Sequence, residues 1–130
     1  MLTRTSGHPY IETILVYYEG CNIGDIALMK STFTHDVVHY FTDHGAVIGA
    51  ESLAVYWSKV GRRTEANWKL DHAIVQDDEA VIEWSMRWRT PEGNLEHLRG
   101  TEWYLFRDGL IAVIRSYHNC LLYTSDAADE

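Results

Sequence analysis

The chain has 130 residues, enough for one domain with a single core, and its 46% hydrophobic content is ordinary for a globular protein. Its net charge of −8, with Arg62-Arg63 as the densest basic feature, argues against a nucleic-acid partner held by phosphate neutralisation. No apolar run reaches the roughly 20 residues that span a bilayer, and Met1-Leu-Thr-Arg-Thr-Ser-Gly lacks the apolar centre of a signal peptide. The expectation is therefore a cytoplasmic protein without a membrane partner.

In chain order, His8-Pro9 opens a helix over Tyr10–Gly20, with Pro suited to the first turn and Gly to the end. Tyr10, Ile14, Tyr17 and Tyr18 fall near helical spacing and give it an inward stripe. Asp25–Phe33 reads as a second, short helix with Asn22 or Gly24 near its cap. Asp36–Asp43 is β-branched and aromatic and ends at His44-Gly45, which predicts a strand. Gly49–Val60 is a third helix, buried through Leu53, Tyr56, Trp57 and Val60.

Three or four strands follow. Asn67–Gln76 ends at Asp77-Asp78. Ala80–Thr90 alternates, with Ile82, Trp84, Met86 and Trp88 on one face and Glu83, Ser85, Arg87 and Arg89 on the other. The next strand runs through Phe106, and Asp108-Gly109 turns it into the last, a strong hairpin signal. Helices first and strands last predict an α+β fold. One face of its curved, largely antiparallel sheet packs the helices. The other carries Glu83, Arg87, Arg89, Arg99, Arg107 and Trp103, a mixture that suits solvent or a homodimer interface. Arg99 and Arg115 are expected to pair with acids such as Glu83.

Cys21 and Cys120 are too few and too far apart for a metal site or a disulfide framework, and read as free thiols. Residues 120–130 follow without linker or periodicity and are similar to one reading frame of a transposase adapter. The expected division is a single domain at 1–119 and a non-native or frayed tail at 120–130.

Three features together resemble the nuclear transport factor 2-like superfamily, and within it the SnoaL-like and ketosteroid-isomerase-like enzymes. They are Asn22-Ile-Gly-Asp25 between two helices, Gly49-Ala-Glu-Ser52 opening the third, and Phe106-Arg-Asp-Gly-Leu-Ile111 followed by Ile114-Arg-Ser-Tyr117. The resemblance covers Tyr10 to Asn119. It implies a cystatin-like α+β barrel, a cone in which a bent sheet wraps the N-terminal helices and leaves an apolar pocket at one end. Against the ketosteroid-isomerase pattern, Tyr17 falls at the tyrosine that donates to an oxyanion. Glu102 falls at the strand carboxylic acid, one methylene longer. Phe41 stands where that pattern has its aspartate base, which argues against steroid-type isomerisation. Ser116 stands at the final-strand acid of the epoxide hydrolases, which argues against that reaction too.

Face parity brings Glu102 and Tyr104 to one side of the hairpin, with Ile114, Ser116 and His118 opposite. Burial disfavours the charged form of a carboxyl, so Glu102 is expected to act as an acid, or as a base near neutral pH. His39 and His118 are the candidate bases, since their parity matches the pocket face. The expected catalytic set is Tyr17, His39, Glu102 and His118. Phe41, Trp84, Met86, Trp88, Tyr104, Ile114 and Ser116 are expected to line the substrate, while Trp57 and Trp68 read as structural. Seven histidines show no ligand spacing for a metal, and the expected chemistry needs no cofactor. Ser116 lacks the Gly-x-Ser-x-Gly elbow of a nucleophile. The functional expectation is an acid/base enzyme of isomerase, dehydratase or cyclase type acting on a small, apolar carbonyl compound. The alternatives are a ligand-binding module without chemistry and a dimerisation domain.

Overall fold

A computed structural model describes residues 7–118. The suspected foreign tail at 120–130, with Cys120, lies outside the described residues, as does the expected domain end at Asn119. Helix α1 (Pro9–Ile23) leads through α2 (Ile26–Lys30) into strand β1 (Phe33–Tyr40) and the short β2 (Val47–Ile48). Helix α3 (Ala50–Thr64) follows, then β3 (Asn67–Gln76), β4 (Glu79–Arg89), β5 (Leu95–Arg107) and β6 (Leu110–His118). The strands form one mixed sheet in the order β2-β1-β6-β5-β4-β3. Strands β1 and β6 run parallel and every other pair is antiparallel. The sheet curves without closing, so the α+β architecture stands as an open cone with β2 and β3 at its edges.

Local chemistry explains the connections. Asn22-Ile-Gly-Asp25 performs three tasks in four residues. Gly24 takes the left-handed conformation, φ 74°, that ends α1, and the Asp25 carboxylate accepts from Leu28 N to start α2. Asn22 turns to the sheet edge, where its amide donates to Trp68 O at 2.9 Å and accepts from Trp68 N at 2.7 Å. One side chain thus serves an edge strand as a neighbouring strand would. Asp108 and Gly109, at φ 55° and 80°, form the tight hairpin turn that their types favour. Bulges interrupt the pairing between Phe33 and Val38, Leu70 and His72, and Leu105 and Phe106. Such insertions bend a strand and raise its twist.

Boundaries differ from expectation where tertiary pairing competes with local preference. Helix α2 stops at Lys30, and Phe33, expected in the helix, opens β1 opposite Ile111. The strand then ends at Tyr40, leaving Phe41–Asp43 in a loop. Strand β2 is only two residues long, too short for a sequence signal, and exists through its pairing with Val38 and His39. Helix α3 continues to Thr64 before Glu65 caps it. Ile11, Ile14 and Tyr17 of α1 meet Leu53 of α3 and Ile82, Tyr104 and Ile114 of the sheet in a core where none exceeds 1% exposure. On the outer face, Arg115 stands over the Tyr40 ring at 5.4 Å, and Glu83 lies 3.7 Å from His72. Glu83 is therefore not the partner of Arg115: a flat guanidinium gains from an aromatic face what it does not need from a carboxylate.

Candidate active site

The β5–β6 hairpin sets the site. Glu102 lies directly opposite Ser116, and Gly100 opposite His118, so three side chains and one gap share the inner face. Glu102 is 6% exposed and its carboxylate is surrounded by donors. Oε1 accepts from the Tyr18 hydroxyl at 2.8 Å and the Tyr104 hydroxyl at 2.5 Å, and Oε2 accepts from the Ser116 hydroxyl at 2.9 Å. His39 Nε2 lies 3.3 Å from Ser116 Oγ and 3.7 Å from Glu102 Oε2. A serine hydroxyl has one proton, and here it goes to Glu102, so His39 Nε2 must carry the hydrogen that reaches Ser116. His39 is fully buried and stacks on Phe41 at 4.2 Å, with Nδ1 unpartnered.

These donors reverse the expected electrostatics. Burial by itself raises the Glu102 carboxyl, as the sequence reading supposed. The charge and donor of His39 and the hydroxyls of Tyr104 and Tyr18 outweigh it, and hold the group below its usual value. Glu102 is thus an anion at neutral pH and not a proton donor. The same arrangement, burial first and the Glu102 charge second, pushes the Tyr18 and Tyr104 phenols well up. They stay protonated and keep donating.

Beside this cluster lies a cavity of about 200 Å³. Phe41, Trp57, Trp68 and Trp84 give it aromatic walls, and Val60, Met86 and Leu98 complete the apolar lining. Glu102, Ser116 and His118 form one polar corner, while Asp43, His44 and Tyr56 form another. Asp43 and His44 have side chains 64% and 43% exposed, which places that corner at the mouth. There the His44 ring stacks on Phe41 at 4.2 Å and meets the Tyr56 hydroxyl at 3.3 Å. Gly100 makes the wall possible: a Cβ there would stand 2.6 Å from the Trp84 ring and 2.9 Å from His118 Cβ. Among the described residues, no group of three or more His, Cys, Asp or Glu side chains could hold a metal ion.

Of the residues singled out from the sequence, Glu102, His118, Phe41, Trp84, Met86 and Ser116 line the cavity. His39 reaches Glu102 from behind Phe41. Tyr17 does not bond Glu102. Its hydroxyl faces Cys21 and Trp57, and its ring packs edge-on against Tyr18 and Phe33. One helical position turns a side chain by about 100°, and Tyr18 is the neighbour that points at the carboxylate. Trp88, Tyr104 and Ile114 lie outside the lining: Trp88 pairs far along β4 opposite Glu96, Tyr104 is spent on Glu102, and Ile114 is core. Trp57 and Trp68 join the wall although sequence placed them as structural. Their burial stripe was visible, but a core face and a cavity wall have the same pattern. Asp43, His44 and Tyr56 gave no sign of a shared site, because the loop after β1 and the middle of α3 meet only in the fold.

The family model for the SnoaL-like domain matches residues 14–114. No curated protein matches. Among solved structures, the chain is similar to a cystatin-like-fold protein of Methylobium petroleophilum PM1, at 32% identity and a TM-score of 0.78, over 92% of this chain and 79% of that one. TerC, crystallised with polyporic acid, shares the fold at 19% identity and a TM-score of 0.79, over 90% and 96% of the two chains. So does Rv0760c of Mycobacterium tuberculosis, in complex with estradiol-17β-hemisuccinate, at 16% identity and a TM-score of 0.74, over 85% and 94%. The matched span runs from Ile14 within α1 through α2, α3 and the strand that carries Glu102 to Ile114 in β6, so the chain belongs to the SnoaL-like domain family of the nuclear transport factor 2-like superfamily.

Proposed function

We propose that this protein is a cofactor-independent acid/base enzyme acting on a small carbonyl compound, with Glu102 as the general base. The observation that carries the reading is a buried carboxylate, kept ionised by three hydroxyls and His39, at the wall of an aromatic cavity. A carboxylate offers about four acceptor positions, and three are filled. The free position, on Oε2, takes a proton from the carbon beside the substrate carbonyl. The electron pair moves into the C–C bond and on to oxygen, giving an enolate. His118, on the same wall, protonates that oxygen or a developing alkoxide. Where the substrate carries a C=C bond one carbon further on, the enolate extends over it. Return of the Glu102 proton to the far carbon, with the oxygen's proton passing back to His118, then restores the carbonyl and completes an isomerisation. Attack of the enolate carbon on a second carbonyl gives an aldol-type ring, and loss of water from that product is a dehydration. A base held below its usual value is matched to a weakly held proton, such as that of a methylene between two carbonyls. The relatives that hold polyporic acid and an estradiol ester support a small-molecule role for the cavity.

The test is a pH–rate profile on 1,3-dicarbonyl and simple ketone substrates. With Glu102 as base, kcat/KM holds as pH falls from neutral and drops only below the ordinary glutamate value of about 4.3, whatever limb the acid His118 adds on the alkaline side. Loss of activity as pH falls through about 6.5 would assign the base to a histidine instead. Binding without turnover of any substrate, unchanged in Glu102→Gln, would leave a ligand-binding module. Assignment to the cytoplasm rests on sparse cysteine, with Cys21 a buried free thiol.

A second proposal concerns assembly. Ile74, Val81, Trp103, Arg115 and Tyr40 stand in one cross-strand row on the outer face. Ile74 is 70% and Trp103 44% exposed, which favours a homodimer through this face. Sedimentation of an Arg89→Glu, Trp103→Glu double variant tests it; unchanged association removes the face as the interface.

A further inference from the structure

The hydrogen-bond inventory of the cavity says what kind of head group it accepts. The Ser116 hydroxyl, which lines the cavity, is committed to Glu102, and the Tyr18 and Tyr104 hydroxyls reach the same carboxylate from outside the lining. What remains at that corner is the Glu102 anion, with the His118 imidazole beside it. The mouth adds a second carboxylate, Asp43, and no Lys or Arg is among the residues that line the cavity. Between the two acids stand the rings of Phe41, Trp57, Trp68 and Trp84. Aromatic faces attract cations electrostatically, most strongly in tryptophan, and the attraction grows as water is excluded. The chain as a whole adds a net charge of −8, which draws cations and repels anions.

Volume limits the rest of the molecule. A cavity of about 150 Å³ holds benzene, so the enclosed part of this one, about 200 Å³, fits a single ring with a short substituent, and a larger ligand would extend through the mouth.

We infer that the ligand of this cavity is a compact, one-ring organic cation: an aryl compound with a protonated amine held between the aromatic wall and the two carboxylates. The inference rests on the cavity being the ligand site, and it narrows the proposed substrate to an aryl amino-carbonyl compound. The two readings fit chemically. A positive nitrogen beside a carbonyl makes the neighbouring C–H more acidic, and a weakly basic Glu102 requires such a proton. The nitrogen lies against the rings, and the reacting carbon takes the free position on Glu102.

Three probes of one size decide the matter: 2-phenylethylamine, its neutral counterpart 2-phenylethanol and the anion 3-phenylpropionate. Each is titrated into the full chain at pH 8, with tryptophan fluorescence and calorimetry as readouts. The amine should bind about tenfold or more tightly than the alcohol, and the carboxylate weakest. Glu102→Gln should erase most of the amine's advantage while the alcohol's affinity holds within about twofold. Asp43→Asn, at the exposed mouth, provides a variant that does not disturb the core, and should reduce the amine's advantage by about two- to threefold. Equal or tighter binding of the alcohol overturns the cationic assignment and leaves the cavity as a ligand site. An amine advantage that survives both substitutions also overturns it. Binding of none of the three overturns the reading of the cavity as a ligand site, and this inference with it.

Discussion

Adjacent tyrosines on α1 offer the sharpest test of the site. Tyr18 donates to Glu102 at 2.8 Å, while the Tyr17 hydroxyl, set against Cys21 and Trp57, feels the Glu102 charge without bonding to it. Replacing Tyr18 by Phe removes one donor from a buried anion, and hydrogen bonds to charged groups contribute about 1.5–3 kcal/mol. For a chain of this length that lowers the melting temperature by about 5–12 °C. Tyr17→Phe removes a neutral contact and should cost about 1 kcal/mol or less. The pH dependence follows from the direction of the Glu102 shift. Its folded value is depressed, so the stabilisation is complete above the unfolded glutamate value of about 4.3 and is lost as pH falls through the folded value. Tyr18→Phe raises the folded value again, so its cost is greatest near pH 7 and shrinks towards pH 3. In a Glu102→Gln background the same change should cost only the ~1 kcal/mol of a neutral bond, giving a coupling of about 1 kcal/mol. Thermal and urea unfolding of the unsubstituted chain, the three single variants and the Tyr18→Phe, Glu102→Gln double variant across pH 3–7 measures all of this. Equal costs for Tyr17→Phe and Tyr18→Phe, or a Tyr18→Phe cost that ignores pH, would refute the geometry.

Other consequences are simpler to read. Gly100→Ala must displace the Trp84 ring or the β6 backbone, since the added Cβ would stand 2.5 Å from Tyr117 O. It should cost about 1–3 kcal/mol by urea unfolding, and weaken probe binding by pushing Trp84 into the cavity. Asn22→Ala releases the edge of β3 at Trp68 and loses two hydrogen bonds, about 2 kcal/mol in all, with faster amide exchange at Trp68 as the local signature. Glu102→Gln should flatten the acid limb of the stability curve below about pH 4.3, because the group whose protonation destabilises the fold is gone. An unchanged acid limb would mean that other carboxylates set it.

Much was legible before any coordinates. The Asp108-Gly109 hairpin and the alternation along β4 are local signals, and each matches its element; the cap of α2, expected at Asn22 or Gly24, is Asp25 instead, and Gly24 ends α1. The two-residue turn sets Arg107 against Leu110 and Phe106 against Ile111, but it alone would place Glu102 opposite Arg115; the bulge between Leu105 and Phe106 shifts the register by one and brings Glu102 opposite Ser116. The resemblance carried by three short motifs pointed to the SnoaL-like family that the whole span then matched.

Three things came only with the tertiary structure. Tyr17 and Tyr18 differ by one step on a helix, and which of them meets Glu102 depends on how α1 is rotated against the sheet. The charge of Glu102 could not be read from its burial, since the sign depends on how many donors arrive from α1, β1, β5 and β6 together. Trp57 and Trp68 carry the same burial pattern whether they fill a core or wall a cavity. Periodicity and turn chemistry act over a few residues, so the sequence by itself determined the longer elements and which residues share a face within each strand, while the bulge in β5 decided which of them meet across the hairpin. Ionisation state and cavity shape are sums over side chains from distant elements, and the packing of α1 and α3 against the sheet decided both.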